Sequence, residues 1–198
     1  VRMNDILRGN TVGSLTQTQH AVLVGCLLGD GALRRQGNRQ ALLEINHAIS
    51  QKEYVDWQYE VFRDLVITPP KPRLGNGSRV AYRFTTRSLS ILSNYHQWFY
   101  APQGKIISDD LKIGSLELAV WYMDDGSKSR SSCYFNTQQF STDDQQRLIG
   151  LLWRTFGIEG RLNRDKKYQR IRITTSGTVK LYNIIGDYIL PCFRYKLA

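Results

Sequence analysis

The chain has 198 residues, 41% of them hydrophobic and 11% aromatic, enough for a sizeable core and too apolar for a disordered polymer. Lys and Arg number 27 against 17 Asp and Glu, a formal charge of +10, and in a folded domain that surplus points to a polyanion, nucleic acid first. No apolar run approaches the ~18–20 residues of a membrane helix, and Val1-Arg-Met-Asn-Asp5 lacks the apolar core of a signal peptide. Cys26, Cys133 and Cys192 are odd in number and form no CxxC pair, and His20, His47 and His96 fit no zinc spacing. A disulfide scaffold and a zinc ribbon are thereby excluded, and a reducing compartment is expected.

In chain order, His20-Ala-Val-Leu-Val-Gly-Cys-Leu-Leu-Gly-Asp-Gly31 predicts a helix buried on all sides and stopped at Asp-Gly. A basic group follows at Arg34, Arg35 and Arg39. Residues 52–66 place Tyr54, Val55, Phe62 and Leu65 at helical spacing. Pro72-Arg-Leu74 predicts a strand paired with Arg79-Val-Ala-Tyr-Arg-Phe-Thr-Thr86, whose period-2 alternation reads as β. Residues 88–100 are helical in pattern, and residues 101–115 join them to a second apolar helix, Leu116-Glu-Leu-Ala-Val-Trp-Tyr-Met-Asp-Asp-Gly126. Residues 143–156 form the next helix, with Ser141 and Asp144 as a variant capping box. Gly160-Arg-Leu162 and Lys167-Tyr-Gln-Arg-Ile-Arg-Ile-Thr-Thr175 are the next strands, and residues 178–189 the last helix. In that last strand Arg170 and Arg172 face one side, Ile171 and Ile173 the other.

These elements repeat. Tyr82-Arg-Phe-Thr-Thr86 matches Ile171-Arg-Ile-Thr-Thr175 at an offset of 89, Pro72-Arg-Leu74 matches Gly160-Arg-Leu162 at 88, and the Asp-Gly pairs at 30 and 125 lie 95 apart. Each half reads α-β-β-α-β-β-α, a duplication with altered loop lengths. Two all-apolar helices, one per half, are most economically buried against each other. Gly25, Gly29 and Ala119 would let their backbones approach closely. Asp30 and Asp125 would then meet at two negative helix ends, which is unfavourable until hard divalent cations sit between the carboxylates.

Leu23-Val-Gly-Cys-Leu-Leu-Gly-Asp-Gly31 and Leu118-Ala-Val-Trp-Tyr-Met-Asp-Asp-Gly126 resemble the two dodecapeptide motifs of LAGLIDADG homing endonucleases, and the resemblance spans nearly the whole chain. Trp121-Tyr-Met-Asp-Asp-Gly126, Thr68-Pro-Pro70, Asn136-Thr-Gln138 and Pro191-Cys-Phe-Arg-Tyr-Lys-Leu197 are similar to the single-chain, two-motif branch typified by the yeast mitochondrial omega-intron endonuclease. The first motif departs from the family letters at Val24, Cys26, Leu28 and Gly29 and keeps its Asp.

The resemblance implies an α+β fold of two pseudo-symmetric αββαββα halves, packed through the paired motif helices, with saddle-shaped antiparallel sheets. The halves would be residues 1–100 and 116–198, with 101–115 as linker. It implies hydrolysis of both strands of a long, asymmetric double-stranded DNA site, leaving short 3′ overhangs. Two or three Mg²⁺ ions would be shared by Asp30 and Asp125, with Gly29 and Asp124, the residues before them, completing the metal set. Lys105 and Lys196 carry over as basic residues near the scissile phosphates. His47 and Gln138 carry over as polar residues ending the strands after each motif, close to the water on the metal.

Base reading falls to residues on the open face of the sheets. The candidates are Arg34, Gln36, Asn38, Gln40, Glu44, Arg73, Arg79 and Arg83 in the first half. In the second they are Lys128, Arg130, Tyr134, Arg161, Asn163, Lys167, Arg170 and Arg172. Arg matches guanine, and Asn and Gln match adenine. With both motifs in one chain, a monomer is expected. It would be intracellular, in an organelle or a bacterial cytoplasm. The alternatives on the same fold are a group I intron maturase, with intron RNA as partner, and a non-catalytic DNA-binding protein. Retention of both aspartates and both lysines favours the nuclease.

Overall fold

The computed structural model describes residues 15–75 and 79–197; the reading of Val1 to Asp5 lies outside them. The chain divides into two compact units, Val1–Gln97 and Trp98–Ala198.

The first unit runs α1 (Gln17–Leu28), β1 (Ala32–Gln36), β2 (Gln40–Ala48), α2 (Lys52–Phe62), β3 (Lys71–Leu74), β4 (Val80–Thr85) and all but the last two residues of α3 (Ser90–Phe99). Thr16 starts α1: its hydroxyl accepts the Gln19 N–H while the Gln19 side chain accepts the Thr16 N–H, a reciprocal cap. Every residue from Gln19 to Leu28 is buried, as an all-apolar helix requires. The strands form one antiparallel sheet in the order β1-β2-β4-β3. Its inner face carries Leu33, Leu43, Ile45, Tyr82 and Phe84, and the helices bring Tyr54, Val55, Phe62, Leu92 and Tyr95 to the same core.

The second unit repeats this plan. It has α4 (Ser115–Asp125), β7 (Gly126–Ser129), β8 (Ser132–Phe135), α5 (Thr142–Phe156), β9 (Gly160–Asp165), β10 (Tyr168–Ile173) and α6 (Thr175–Ile185), with sheet order β7-β8-β10-β9. A short hairpin, β5 (Tyr100–Ala101) and β6 (Gly104–Lys105), precedes α4. The segment leading into α4 is tied down: Ile107 donates its N–H to Asp144, and Ile107, Leu111 and Ile113 are buried. Ser141 caps α5 by accepting the Asp144 N–H, as the capping pattern predicted. The core holds Cys133, Phe135, Ile171 and Ile173 from the sheet, with Leu148, Leu152, Leu181 and Ile185 from the helices. Trp121 of α4 stacks on Phe135, ring centroids 4.0 Å apart.

The Asp-Gly pairs have a backbone reason for their glycine. A Cβ on Gly31 would lie 2.7 Å from the Cys26 Cβ, and one on Gly126 2.3 Å from the Tyr122 carbonyl oxygen. Each chain folds back on its own helix too closely for any side chain. The two ends nevertheless differ from the expected symmetric stop. Helix α1 ends at Leu28, with Gly29 as its cap and Asp30 in the following turn, whereas α4 runs through Asp125 and enters β7 directly.

Strand register revises two of the sequence equivalences. Pro72 pairs with Tyr82 and Leu162 with Ile171. The outer strands therefore correspond at an offset of 90, and the shared Arg-Leu letters at 88 are two residues out of register. The two-residue slip kept the face assignment, because strand faces repeat every two residues. Likewise His47 pairs with Tyr82, and Phe135 pairs with Ile171. Phe135, not Gln138, is the counterpart of His47, and Gln138 lies in a turn beyond β8.

Replacing fully buried Phe135 with Ala should remove the Trp121 stack and leave a cavity, costing about 3–5 kcal/mol in urea unfolding. Val179→Ala, at a position 59% exposed, should change stability by no more than about 0.5 kcal/mol.

Candidate nucleic-acid interface and metal site

Each sheet has one face against its helices and one open face, and the open faces are where the basic strand residues gather. In the first unit Asn46 of β2 pairs with Arg83 of β4, and Arg83 pairs with Lys71 of β3. The equivalent row in the second unit is Tyr134, Arg172 and Arg161. Both rows oppose two cations directly, Lys71 with Arg83 and Arg161 with Arg172. Like charges facing each other across a ladder destabilise a sheet. The arrangement becomes favourable when a polyanion lies across it.

Several of these side chains are held in place before any ligand arrives. Arg34 donates to Glu44 at 2.7 Å. Arg170 lies over the Tyr134 ring, 4.0 Å from its centroid, and donates to the Asn136 side-chain oxygen at 3.2 Å. The Arg172 Nε reaches Ser132 Oγ at 3.4 Å. Arg130 and Lys166 sit at hairpin tips with φ of 50° and 55°, a left-handed conformation that costs a non-glycine residue about 1 kcal/mol. It sets both basic side chains at the ends of the β7–β8 and β9–β10 hairpins.

In the first unit the Asp30 carboxylate, 54% exposed, opens into a cleft of about 820 Å³ that Asn46, His47, Gln51 and Arg79 also line. His47 lies on the helix-facing side of β2, its side chain 3% exposed and packed against Tyr54 at 5.2 Å between ring centroids. Its Nδ1 is 3.9 Å from Asp30 Oδ2, outside hydrogen-bond range.

In the second unit Asp125 is the last residue of α4, 9% exposed, with Asp124 half-buried beside it. A helix C-terminus is already negative, and three groups answer that charge. The Lys196 ammonium donates to the Met123 carbonyl at 2.6 Å and lies within 3.5 Å of the Tyr122 and Asp124 carbonyls. The Asn136 amide and its backbone N–H both donate to the Asp125 carbonyl at 2.9 Å. The Lys196 carbonyl accepts from Tyr122 at 3.1 Å and Tyr182 at 3.0 Å. Burial holds the Tyr122 and Tyr182 phenols above the usual tyrosine range, so both remain donors.

The predicted residues divide by location. Arg34, Gln36, Gln40, Glu44, Arg73 and Arg83 lie on the open face of the first sheet, and Tyr134, Arg161, Asn163, Arg170 and Arg172 on that of the second. Asn38, Arg130 and Lys167 lie in hairpin turns, and Arg79 precedes β4. Lys128 pairs with Cys133 and so shares the parity of the inner face. Gln138 donates to Asp165 at 2.9 Å, and Lys105 pairs with Tyr100 in the short hairpin. Asn46 and Lys71 share this open face, and counting by two from Glu44 and Arg73 reaches both.

A duplicated αββαββα chain, with an Asp-Gly-terminated buried helix and a basic sheet face in each half, has the architecture of a DNA-cleaving protein of the LAGLIDADG type. The chain belongs to the LAGLIDADG DNA endonuclease family, whose sequence profile matches residues 20–181. It is 29% identical over 204 residues to protein RecA of Mycobacterium gastri, covering 92% of this chain and 48% of that protein; the chain thus spans about half the length of that relative. It is 28% identical over 200 residues to the probable intron-encoded endonuclease 1 of Wickerhamomyces canadensis, covering 93% of this chain and 85% of that one. The solved homing endonuclease I-WcaI bound to its DNA recognition sequence matches with a TM-score of 0.86 at 27% identity, over 99% of this chain and 92% of that one.

Lys196→Met should leave the α4 carbonyls without their charged donor and cost about 1.5–3 kcal/mol in denaturant unfolding. The same change at exposed Lys112 should fall within about 0.5 kcal/mol.

Proposed function

We propose that the chain is a site-specific endonuclease that hydrolyses both strands of a long, asymmetric duplex DNA site as a monomer, leaving short 3′ overhangs. The observation that carries the reading is the recurrence, in each half, of a buried helix delivering an aspartate beside a sheet whose open face opposes like cations. The I-WcaI relative is seen with its DNA recognition sequence, which supports duplex DNA as the partner here.

The donor set suits a hard divalent cation, Mg²⁺ in this reading. Each unit offers hard oxygen donors of that kind: the Asp30 carboxylate beside the Gly29 backbone in the first, and the Asp125 and Asp124 carboxylates in the second. A cation held there supplies Lewis acidity toward the phosphate and lowers the pKa of bound water. The protein's own groups do the rest. Asp30 and Asp125, one from each half, would hold the cations, and His47, buried beside the Asp30 carboxylate, is the polar residue set near the water on the metal. Lys105 faces the developing phosphate charge, and Lys196 braces the helix end that carries Asp125. The open faces then position the duplex, with Arg, Lys and Asn on phosphates and base edges. No helix among the described residues is long and apolar enough to cross a membrane.

Asp30→Asn and Asp125→Asn should each abolish double-strand cleavage while leaving DNA affinity within a few-fold of wild type, as measured by gel cleavage and filter binding. Full cleavage by either variant overturns the assignment.

The charged rows set the second expectation. About ten phosphate contacts give a slope of log affinity on log salt near −9. Lys71→Ala should make that slope shallower by about 1, with affinity lowered evenly across sequences. A flat response would show that the surplus charge is not used on DNA.

A further inference from the structure

Asn136 belongs to no strand, yet it touches two residues with separate jobs in the reading above. Its side-chain oxygen accepts from the Arg170 guanidinium at 3.2 Å, and its amide nitrogen donates to the Asp125 carbonyl at 2.9 Å. An asparagine can do both at once because its amide carries an acceptor and a donor on one rigid plane. Its own backbone N–H closes a second bond to the same carbonyl. Arg170 is in turn fixed from the other side by the Tyr134 ring at 4.0 Å. Three side chains, Tyr134, Arg170 and Asn136, thus run in unbroken contact from the open face of the sheet to the backbone carbonyl of Asp125, the last residue of α4.

Both ends of this chain matter. Arg170 is directly opposite Asn163 on β9, in the middle of the polar face, where a bidentate guanidinium contact to guanine or phosphate would form. Asp125 is held by Asn136 through its backbone, so any shift of the Asn136 plane moves the peptide that carries the carboxylate. The sheet core behind them does not yield: Phe135, one residue before Asn136, is fully buried against Trp121.

We propose that Asn136 is a positioning residue that couples the Arg170 contact with DNA to the seating of Asp125 at the end of α4. The proposal rests on the endonuclease reading above. It gives recognition a route into chemistry: DNA that engages Arg170 correctly sets the aspartate, and DNA that fails to engage it leaves the aspartate misplaced even while bound.

The test is single-turnover cleavage with protein in excess, so that the rate reports on the bound complex, for wild type, Arg170→Ala, Asn136→Ala and the double variant. Each single change slows cleavage of bound DNA about 2- to 30-fold, and the double variant is no slower than the slower single one. Effects that multiply in the double variant, or single variants whose only defect is weaker binding, overturn the proposal. Asn136→Asp keeps an acceptor for Arg170 and removes the side-chain donor to the Asp125 carbonyl, leaving only the backbone N–H. With protein in saturating excess it should cleave bound DNA as slowly as Asn136→Ala, and wild-type speed overturns the proposal. A second readout needs no cleavage. Hydrogen exchange at the Asn136 backbone amide, which donates to Asp125, should slow on DNA binding in wild type and not in Arg170→Ala; equal slowing in both overturns the coupling. A wild-type protein that binds DNA and never cuts it refutes the endonuclease reading, and the exchange measurement still decides the relay.

Discussion

The end of an α-helix carries about half a unit of negative charge on carbonyls with no partner in the helix, and α4 adds Asp124 and Asp125 to it. Much of the second unit answers that one concentration of charge. Lys196 comes from the far end of the chain to donate to the Met123 carbonyl. Tyr122 and Tyr182 fix the lysine's own backbone, and Asn136 covers the last carbonyl. The first unit solves the same problem differently. Helix α1 stops two residues before Asp30, Gly31 closes the turn by donating to the Cys26 carbonyl at 2.8 Å, and the carboxylate is left facing an open cleft.

The sheets show the opposite imbalance. Arg83 beside Lys71, and Arg172 beside Arg161, raise the energy of each sheet by a few tenths of a kcal/mol to about 1 kcal/mol per pair. The apolar inner faces are large enough to carry that cost. A protein selected for stability alone would alternate the signs. The unfavourable placement occurs at matching rows of both units, which ties it to what the open faces bind.

Most of the architecture was legible because duplication prints the same signals twice. The Asp-Gly stops, the alternation in Tyr82 to Thr86 and Ile171 to Thr175, and the Ser141 cap each rest on local chemistry, and local chemistry reads well from sequence. What escaped was register and reach. The Arg-Leu letters suggested an alignment of the outer strands that backbone pairing displaces by two. Gln138 appeared to match His47 until the ladder put Phe135 in that place, and a count from Ile45 already sets His47 on the inner face. Nothing local reveals that Lys196 and Asn136 converge on one helix end, because one of those contacts spans 73 residues.

The hairpins of the two units are unequal. The inner hairpin of the first unit has strands of five and nine residues, and that of the second has four and four. For the outer hairpins the order reverses, four and six against six and six. A strand advances about 3.4 Å per residue, so a longer hairpin lays more side chains along the open face of its own sheet. The first unit thus has its larger open surface on the strands next to its motif helix, and the second on the strands farther from it. Retargeting such a protein is therefore two separate engineering problems, and a set of substitutions that respecifies one flank has no counterpart to copy onto the other.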